Sequence, residues 1–252
     1  MDAGISVADE ADLAAIDEWL RKERDETGDG FYCNWGIIVS SFEERELYVL
    51  RTDGYPVAFL SDQGTTHNIA EVHPEHRGKG YGKRLATHMI ALSREHGLSV
   101  IEIDCAPSTS VPFWRRMGFT PHLSRLGYGG GIYAHKELPW DFEQGTNRRM
   151  PVEINFYPAN KGYDPNAAPF RTYSEDAEVL QDGSLQLPRR AVCFDPDITQ
   201  LYDCFVEISL QGKQIYRDKV KRSEARDLGV MCDAGGIYHI ERIKSVPGKH
   251  WP

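Results

Sequence analysis

The chain has 252 residues, with 29 Lys and Arg against 38 Asp and Glu and a formal net charge of −9. That length allows two modest cores, the acidity opposes nucleic-acid binding, and no stretch approaches the ~20 apolar residues of a membrane helix. The start, Met1-Asp2-Ala3-Gly4, lacks the basic and apolar run of a leader, so a soluble cytoplasmic protein is expected.

Residues 4–7 read as a short first strand, and 11–24 as a helix with Leu13, Ile16 and Leu20 on one face. Residues 25–41 read as irregular, with Phe31, Tyr32 and Trp35 either lining an acceptor pocket or packing on the sheet. Around Asp53-Gly54, residues 46–51 and 56–60 alternate as a hairpin. A fourth strand is expected over 65–73. A helix over 82–96 carries Leu85, Met89 and Leu92 on its core face and stops at Gly97. A fifth strand covers 99–105, a short helix 107–117, and a further strand starts at Gly118-Phe119. The glycine-rich 127–131 reads as a flexible turn before a last strand over 132–138.

Between the fourth strand and the helix runs Val72-His73-Pro74-Glu75-His76-Arg77-Gly78-Lys79-Gly80-Tyr81-Gly82-Lys83-Arg84-Leu85. Glycines at 78, 80 and 82 remove Cβ atoms where backbone N–H groups must approach an anion, and the helix start adds a positive dipole end. The stretch therefore predicts a phosphate cradle. It is not a Walker A loop, because Lys83 is followed by Arg84 rather than Ser or Thr, nor a dinucleotide fingerprint, because Lys83 stands three after Gly80. What remains is Arg-x-x-Gly-x-Gly at Arg77, Gly80 and Gly82, preceded by Val-x-Pro at Val72 and Pro74. Further on lies Phe113-Trp114-Arg115-Arg116-Met117-Gly118-Phe119, a short helix ending in Gly-Phe. Over about residues 4–139 the two motifs, in this order, resemble the GNAT superfamily of N-acetyltransferases.

The resemblance implies an α+β fold with a mixed sheet and acetyl-CoA as cosubstrate. It places the pyrophosphate on backbone amides from about Arg77 to Gly82, with His73, Gly78, Lys79, Tyr81 and Lys83 around it. The pantetheine arm would pair between splayed fourth and fifth strands, the Val72 amide facing the thioester oxygen. Ser108, Ser110 and Trp114 complete the expected cofactor side. For the base, Glu102 leads: it alternates with Ile101 and Ile103 and lies twelve residues before Trp114. In the family's ribosomal-protein alanine acetyltransferases a catalytic Glu holds the matching place, twelve before a tyrosine. Asp104 on the same face and Glu71 just before Val72 are rivals, and each of the three has a structural reading of equal weight, as a carboxylate satisfied by backbone donors. Two departures stand out. Trp114 replaces a tyrosine that would protonate the leaving thiolate, which indole cannot do; Ser108, Ser110, Tyr128, Tyr133 or water are the alternatives. Acids expected four or six residues before Val72 are Asn68 and Thr66.

Residues 140–150 lose apolar periodicity and read as a linker between a domain at 1–139 and another at 151–252. The latter has short strand-like runs at 152–157, 177–180, 185–187, 191–194, 205–210, 214–217 and 237–243, with a helical turn near 223–228, and predicts a small antiparallel β-rich domain. It is expected to act on the acceptor, a partner or self-association into a homodimer, not on the cofactor. The five cysteines lack C-x-x-C spacing, and His73 and His76 stand alone in a turn, so reduced thiols and no metal site are expected. The basic cluster over 213–226 is read as a solvated face rather than a nucleic-acid site. The resulting expectation is transfer of acetyl from acetyl-CoA to a primary amine of a small molecule, peptide or protein. The alternative is a catalytically weak acetyl-CoA sensor or interaction protein.

Overall fold

A computed structural model describes residues 4–28, 30–62, 69–127, 129–198 and 200–244. The chain divides into two compact units, the first made of residues up to Gly97 with Ile101–Lys136, the second of Leu98–Val100 with the chain from Glu137 onward.

Unit 1 opens with β1 (Ile5–Val7) and α1 (Glu10–Thr27). The helix starts at a capping box in which Asp9 and Asp12 each accept the other's backbone N–H, and it ends at Gly28 in the left-handed region. Its Ile16, Trp19 and Leu20 are buried. The stretch expected to be irregular instead holds a 3-10 turn, Phe31–Asn34, and α2, Trp35–Glu43. No side chain caps α2 and its run Ile37-Ile38-Val39 favours strand locally. Burial of Ile38 in the cluster with Ile16, Leu20, Val49 and Phe59 overrides that preference. Phe31, Tyr32 and Trp35 pack against this cluster.

The hairpin forms as β2 (Leu47–Thr52) and β3 (Tyr55–Ser61), with Asp53 and Gly54 both at positive φ. β4 is Ile69–Val72; the expected earlier part of that strand, with Thr66 and Asn68, lies outside the described residues. These four strands form an antiparallel sheet in the order β1-β2-β3-β4. After α3 (Tyr81–Glu95) come β5 (Val100–Cys105), α4 (Val111–Arg116), β6 (Thr120–Leu126) and β7 (Ile132–Glu137). The last three strands make a separate sheet ordered β5-β7-β6, so β4 and β5 share no ladder.

Unit 2 is one seven-stranded antiparallel sheet. Its strands are β8 (Arg149–Tyr157), β9 (Arg171–Val179), β10 (Leu185–Val192), β11 (Phe205–Leu210), β12 (Lys213–Lys219), β13 (Val230–Cys232) and β14 (Tyr238–Ile243), ordered β12-β11-β8-β9-β10-β14-β13. Two expected runs, 185–187 and 191–194, fuse across an irregularity in β10, and β13 is additional. The short α5 (Ser223–Asp227) touches both edge strands, β12 and β13, so the sheet curls, and Ala225 is fully buried. The stretch 140–150 is bound into this unit: Phe142 N–H donates to Pro188 O at 2.8 Å, Arg190 N–H to Trp140 O at 2.9 Å, and Asp141 bridges Arg189. Leu98–Val100 is held likewise, with the Ser99 amide on the Asp233 carboxylate at 2.7 Å and the Trp140 indole on Leu98 O at 2.9 Å. In the basic cluster, Lys219 and Lys221 pair with Asp203 and Arg217 with Glu207. Among the cysteines, Cys105, Cys193 and Cys204 are buried thiols, and Cys33 and Cys232 are exposed thiols.

Candidate functional site

The cradle is built from backbone. Val72 ends β4, a single 3-10 turn spans Pro74–His76, and Gly78 and Gly80 lie at φ 78° and 87°. Those values favour glycine on backbone grounds alone. A Cβ built at either position meets nothing within 4 Å, so the turn faces open space. Gly80 is the N-cap of α3 and offers no capping side chain. The first-turn N–H groups of Tyr81, Gly82 and Lys83 therefore have no carbonyl within the helix to receive them. Gly82 plays a different part. Its Cβ would point inward, 3.5 Å from the Phe113 ring and 3.6 Å from Val72 Cγ2, so it is a close-packing position of α3 on β4 and α4.

The cationic side chains divide. Lys79 and Lys83 are exposed beside the turn. Arg77 is turned back instead: its Nε donates to Val72 O at 3.0 Å, and its Nη2 to Glu23 Oε1 at 3.1 Å and Glu71 Oε1 at 3.3 Å. Tyr81 Oη lies 3.2 Å from Thr52 Oγ1. His73, expected beside the pyrophosphate and alone in its turn, packs its ring 5.0 Å from Trp19, and its Nδ1 accepts the Glu75 amide. Burial holds that imidazole below its usual pKa.

The three candidate bases sit in three distinct environments. Glu71 is buried, and its carboxyl is pushed up to about 9, first by burial, then by Glu23 beside it, with Arg77 pulling the other way. A group so shifted holds its proton at neutral pH. Asp104 accepts the Gly129 amide, and its carboxylate fills the space that a Cβ on Gly127 would need. A Cβ on Gly131 would stand 2.9 Å from Cys105 O. The turn read as flexible is thus glycine-rich because β5 packs against it, and Asp104 is the carboxylate that holds it. Tyr128, in that turn, lies outside the described residues.

Glu102 is exposed on β5, and its Oε1 accepts the hydroxyl of Tyr133 on β7. Burial, and then that hydrogen bond, raise the Tyr133 hydroxyl above its ordinary range. The Arg125 guanidinium lies 3.8 Å over the Tyr133 ring, and His122 Nε2 is 3.1 Å from His135 Nδ1 on the same sheet. Chain order could place Glu102 on this face, but not its partner 31 residues later. Glu23 carries no such signal at all, since it reads as one acid among several on α1. On α4, Trp114 packs between Phe113 and Phe119 at 5.0 and 5.2 Å. Ser108 is exposed, whereas Ser110 Oγ is buried with no hydrogen-bond partner, a polar atom left for a ligand or water. Among the described residues, no group of three or more His, Cys, Asp or Glu side chains could hold a metal ion, and no helix is long and apolar enough to cross a membrane.

Residues 6–119 match the model of the acetyltransferase (GNAT) family. Among solved structures, the yncA protein of Salmonella typhimurium with its cofactor acetyl-CoA is 21% identical at a TM-score of 0.44, covering 58% of this chain and 99% of its own. The PaiA N-acetyltransferase of Thermoplasma acidophilum, in complex with coenzyme A, is 15% identical at 0.41, covering 55% and 100%. The ribosomal-protein-S18-alanine N-acetyltransferase of Escherichia coli is 17% identical at 0.40, covering 57% and 97%. A comparison with curated proteins gives no match.

Proposed function

We propose, from the premise that residues 6–119 are a GNAT acetyltransferase domain, that the protein transfers an acetyl group from acetyl-CoA to a primary amine. The observation that carries the reading is the cradle itself: positive-φ glycines facing open space, directly before a helix whose first N–H groups have no capping side chain. The pyrophosphate sits on the amides from Gly78 to Gly82, with Lys79 and Lys83 outside it. The pantetheine arm lies between β4 and β5, which belong to different sheets.

Transfer requires the amine to lose a proton, the thioester oxygen to be stabilised, and the thiolate to leave. Glu102 is the base that the surroundings favour. Asp104 is engaged by the 127–131 turn and Glu71 carries a proton at neutral pH, whereas Glu102 is exposed and oriented by the Tyr133 hydroxyl. The Val72 amide faces the oxyanion. A thiol of pKa about 8.5 leaves near neutral pH with little help, so Trp114 in place of an acid is compatible with turnover.

The packing of Trp114 between two phenylalanines favours the second reading, a protein that binds acetyl-CoA without transfer. A titration with acetyl-CoA beside thiol release across small amines, polyamines, amino acids and peptide N-termini separates the two. Saturable binding with amine-dependent release supports the enzyme. Binding without release across that panel supports the sensor, and no binding rejects both.

A further inference from the structure

Resting on the cofactor reading above, we propose that Glu23, Glu71 and Arg77 form a proton-sharing strap that positions the anion-binding turn. Its members come from three places: Glu23 from α1, Glu71 from β4, and Arg77 from the turn itself. One guanidinium nitrogen, Arg77 Nη2, reaches Oε1 of both carboxyls, at 3.1 and 3.3 Å, while Nε of the same side chain holds Val72 O at 3.0 Å. The turn is thereby fastened to the end of β4 and to α1 immediately before Gly78. Arg77 is the first residue of the Arg-x-x-Gly-x-Gly pattern, and its side chain serves the backbone of the cradle rather than the phosphate.

The two remaining carboxyl oxygens, Glu23 Oε2 and Glu71 Oε2, are both buried, and neither has a donor. Both carboxyls sit on the same Arg77 Nη2, and Glu23 helps burial to raise the Glu71 carboxyl. Two buried orphan acceptors on carboxyls that share one guanidinium nitrogen are costly if both are ionised, and one proton held between the carboxyls relieves both. With that proton the group of three is neutral. Without it, two largely buried carboxylates share one guanidinium that is itself open to solvent.

Among the described residues, Arg77 is the cation paired with the two carboxyls. β3 places Phe59 opposite Glu71. The 3-10 segment approaches Glu23 through Gly30, where a Cβ would stand 3.2 Å from Glu23 Oε2. On α1, Trp19 stands one turn before Glu23 with its indole N–H buried and without a hydrogen-bond partner, and its ring packs on His73, whose imidazole burial holds below its usual pKa and which Glu75, His76 and Lys22 also face. The shared proton is therefore the switchable component of the strap. Loss of it, at a pH near the raised value of about 9 for Glu71, sets two carboxylates against each other across one guanidinium, so that Arg77 keeps one of them and the turn loses its tie to α1 or to β4.

The test compares wild type with Glu71→Gln, whose amide can donate to Glu23 as the acid does, and with Glu23→Gln as the reciprocal variant should the first fold poorly. Affinity for a non-hydrolysable thioether analogue of acetyl-CoA is measured from pH 7 to 9.5. Melting temperature without ligand is followed from pH 5 to 9.5. The wild-type Kd is expected to rise at least fivefold across its range, and that of Glu71→Gln less than twofold. A raised folded-state pKa on an acid means stability is lost as pH climbs from the ordinary carboxyl value toward about 9. The unliganded wild type should therefore show a falling melting temperature over that window, and the Gln variant a flatter one. Parallel profiles in both measurements overturn the strap. If the wild type does not bind the analogue at pH 7, the cofactor reading fails instead, and the melting profiles still decide whether the carboxyls share a proton.

Discussion

A carboxylate that receives a tyrosine hydroxyl is fixed in direction while its second oxygen stays available, and Glu102 stands so against Tyr133. Glu102→Gln preserves the shape and removes the base. Acetyl transfer is expected to fall by roughly 10²–10⁴-fold at a pH below the amine's own pKa, with acetyl-CoA affinity retained; a rate within a few fold of wild type would reassign the role to water. At the cradle the two glycines 80 and 82 should behave differently. Gly80→Val forces a β-branched side chain into the left-handed region, at about 1–2 kcal/mol, and fills the open side, so cofactor affinity should drop sharply in a protein that still folds. Gly82→Ala adds a methyl at ordinary contact distance from Phe113 and Val72, and calorimetry should find affinity within a few fold of wild type. The sequence treats these glycines alike because spacing carries no direction. Only the packed α4 shows that residue 82 faces inward.

Among the elements, α1 is secured most heavily at its start. Asp12 is buried, completes the capping box with Asp9, and takes the Arg51 guanidinium from β2 through both oxygens. Asp12→Ala removes the cap bond and leaves Arg51 without that partner. Because Arg51 is partly exposed, the expected loss is about 3 kcal/mol, below the upper end for a fully buried pair, read from the urea midpoint. A change under ~0.5 kcal/mol would show that the cap and ion pair contribute little. The hairpin at Asp53-Gly54, α3 with its stop at Gly97, and the Val100–Cys105 strand were legible because turn chemistry and apolar period agree there. α2 was not, since its β-branched run contradicts its state and only burial of Ile38 decides it. In β10 the break between two apolar runs is an irregularity within one strand, around Pro188-Arg189-Arg190, which a linear reading splits.

For the whole molecule, the division of the chain is not at one point. Leu98–Val100 belongs to the second unit, where Ser99 is bound to Asp233 and Val100 lies in an apolar cluster with Val192, Phe194 and Ile237. No local pattern marks such an assignment, because those residues continue directly into β5. A chain ending after Lys136 should lose the burial of Leu98 and Val100, about 3–6 kcal/mol together. Its urea midpoint should fall accordingly and recover in part when saturating acetyl-CoA analogue is added. A truncated protein as stable as the full chain would mean that the first unit needs none of the second.

Amine acetylation at the Gly78–Gly82 cradle with Glu102 as base is tested by mass spectrometry of the amine panel after incubation with acetyl-CoA and the 252-residue protein. A gain of one acetyl group on at least one primary amine is expected, abolished by Gly80→Val and reduced at least a hundredfold by Glu102→Gln. Acetylation that proceeds equally with both variants, or no acetylated amine despite saturable acetyl-CoA binding, would contradict it.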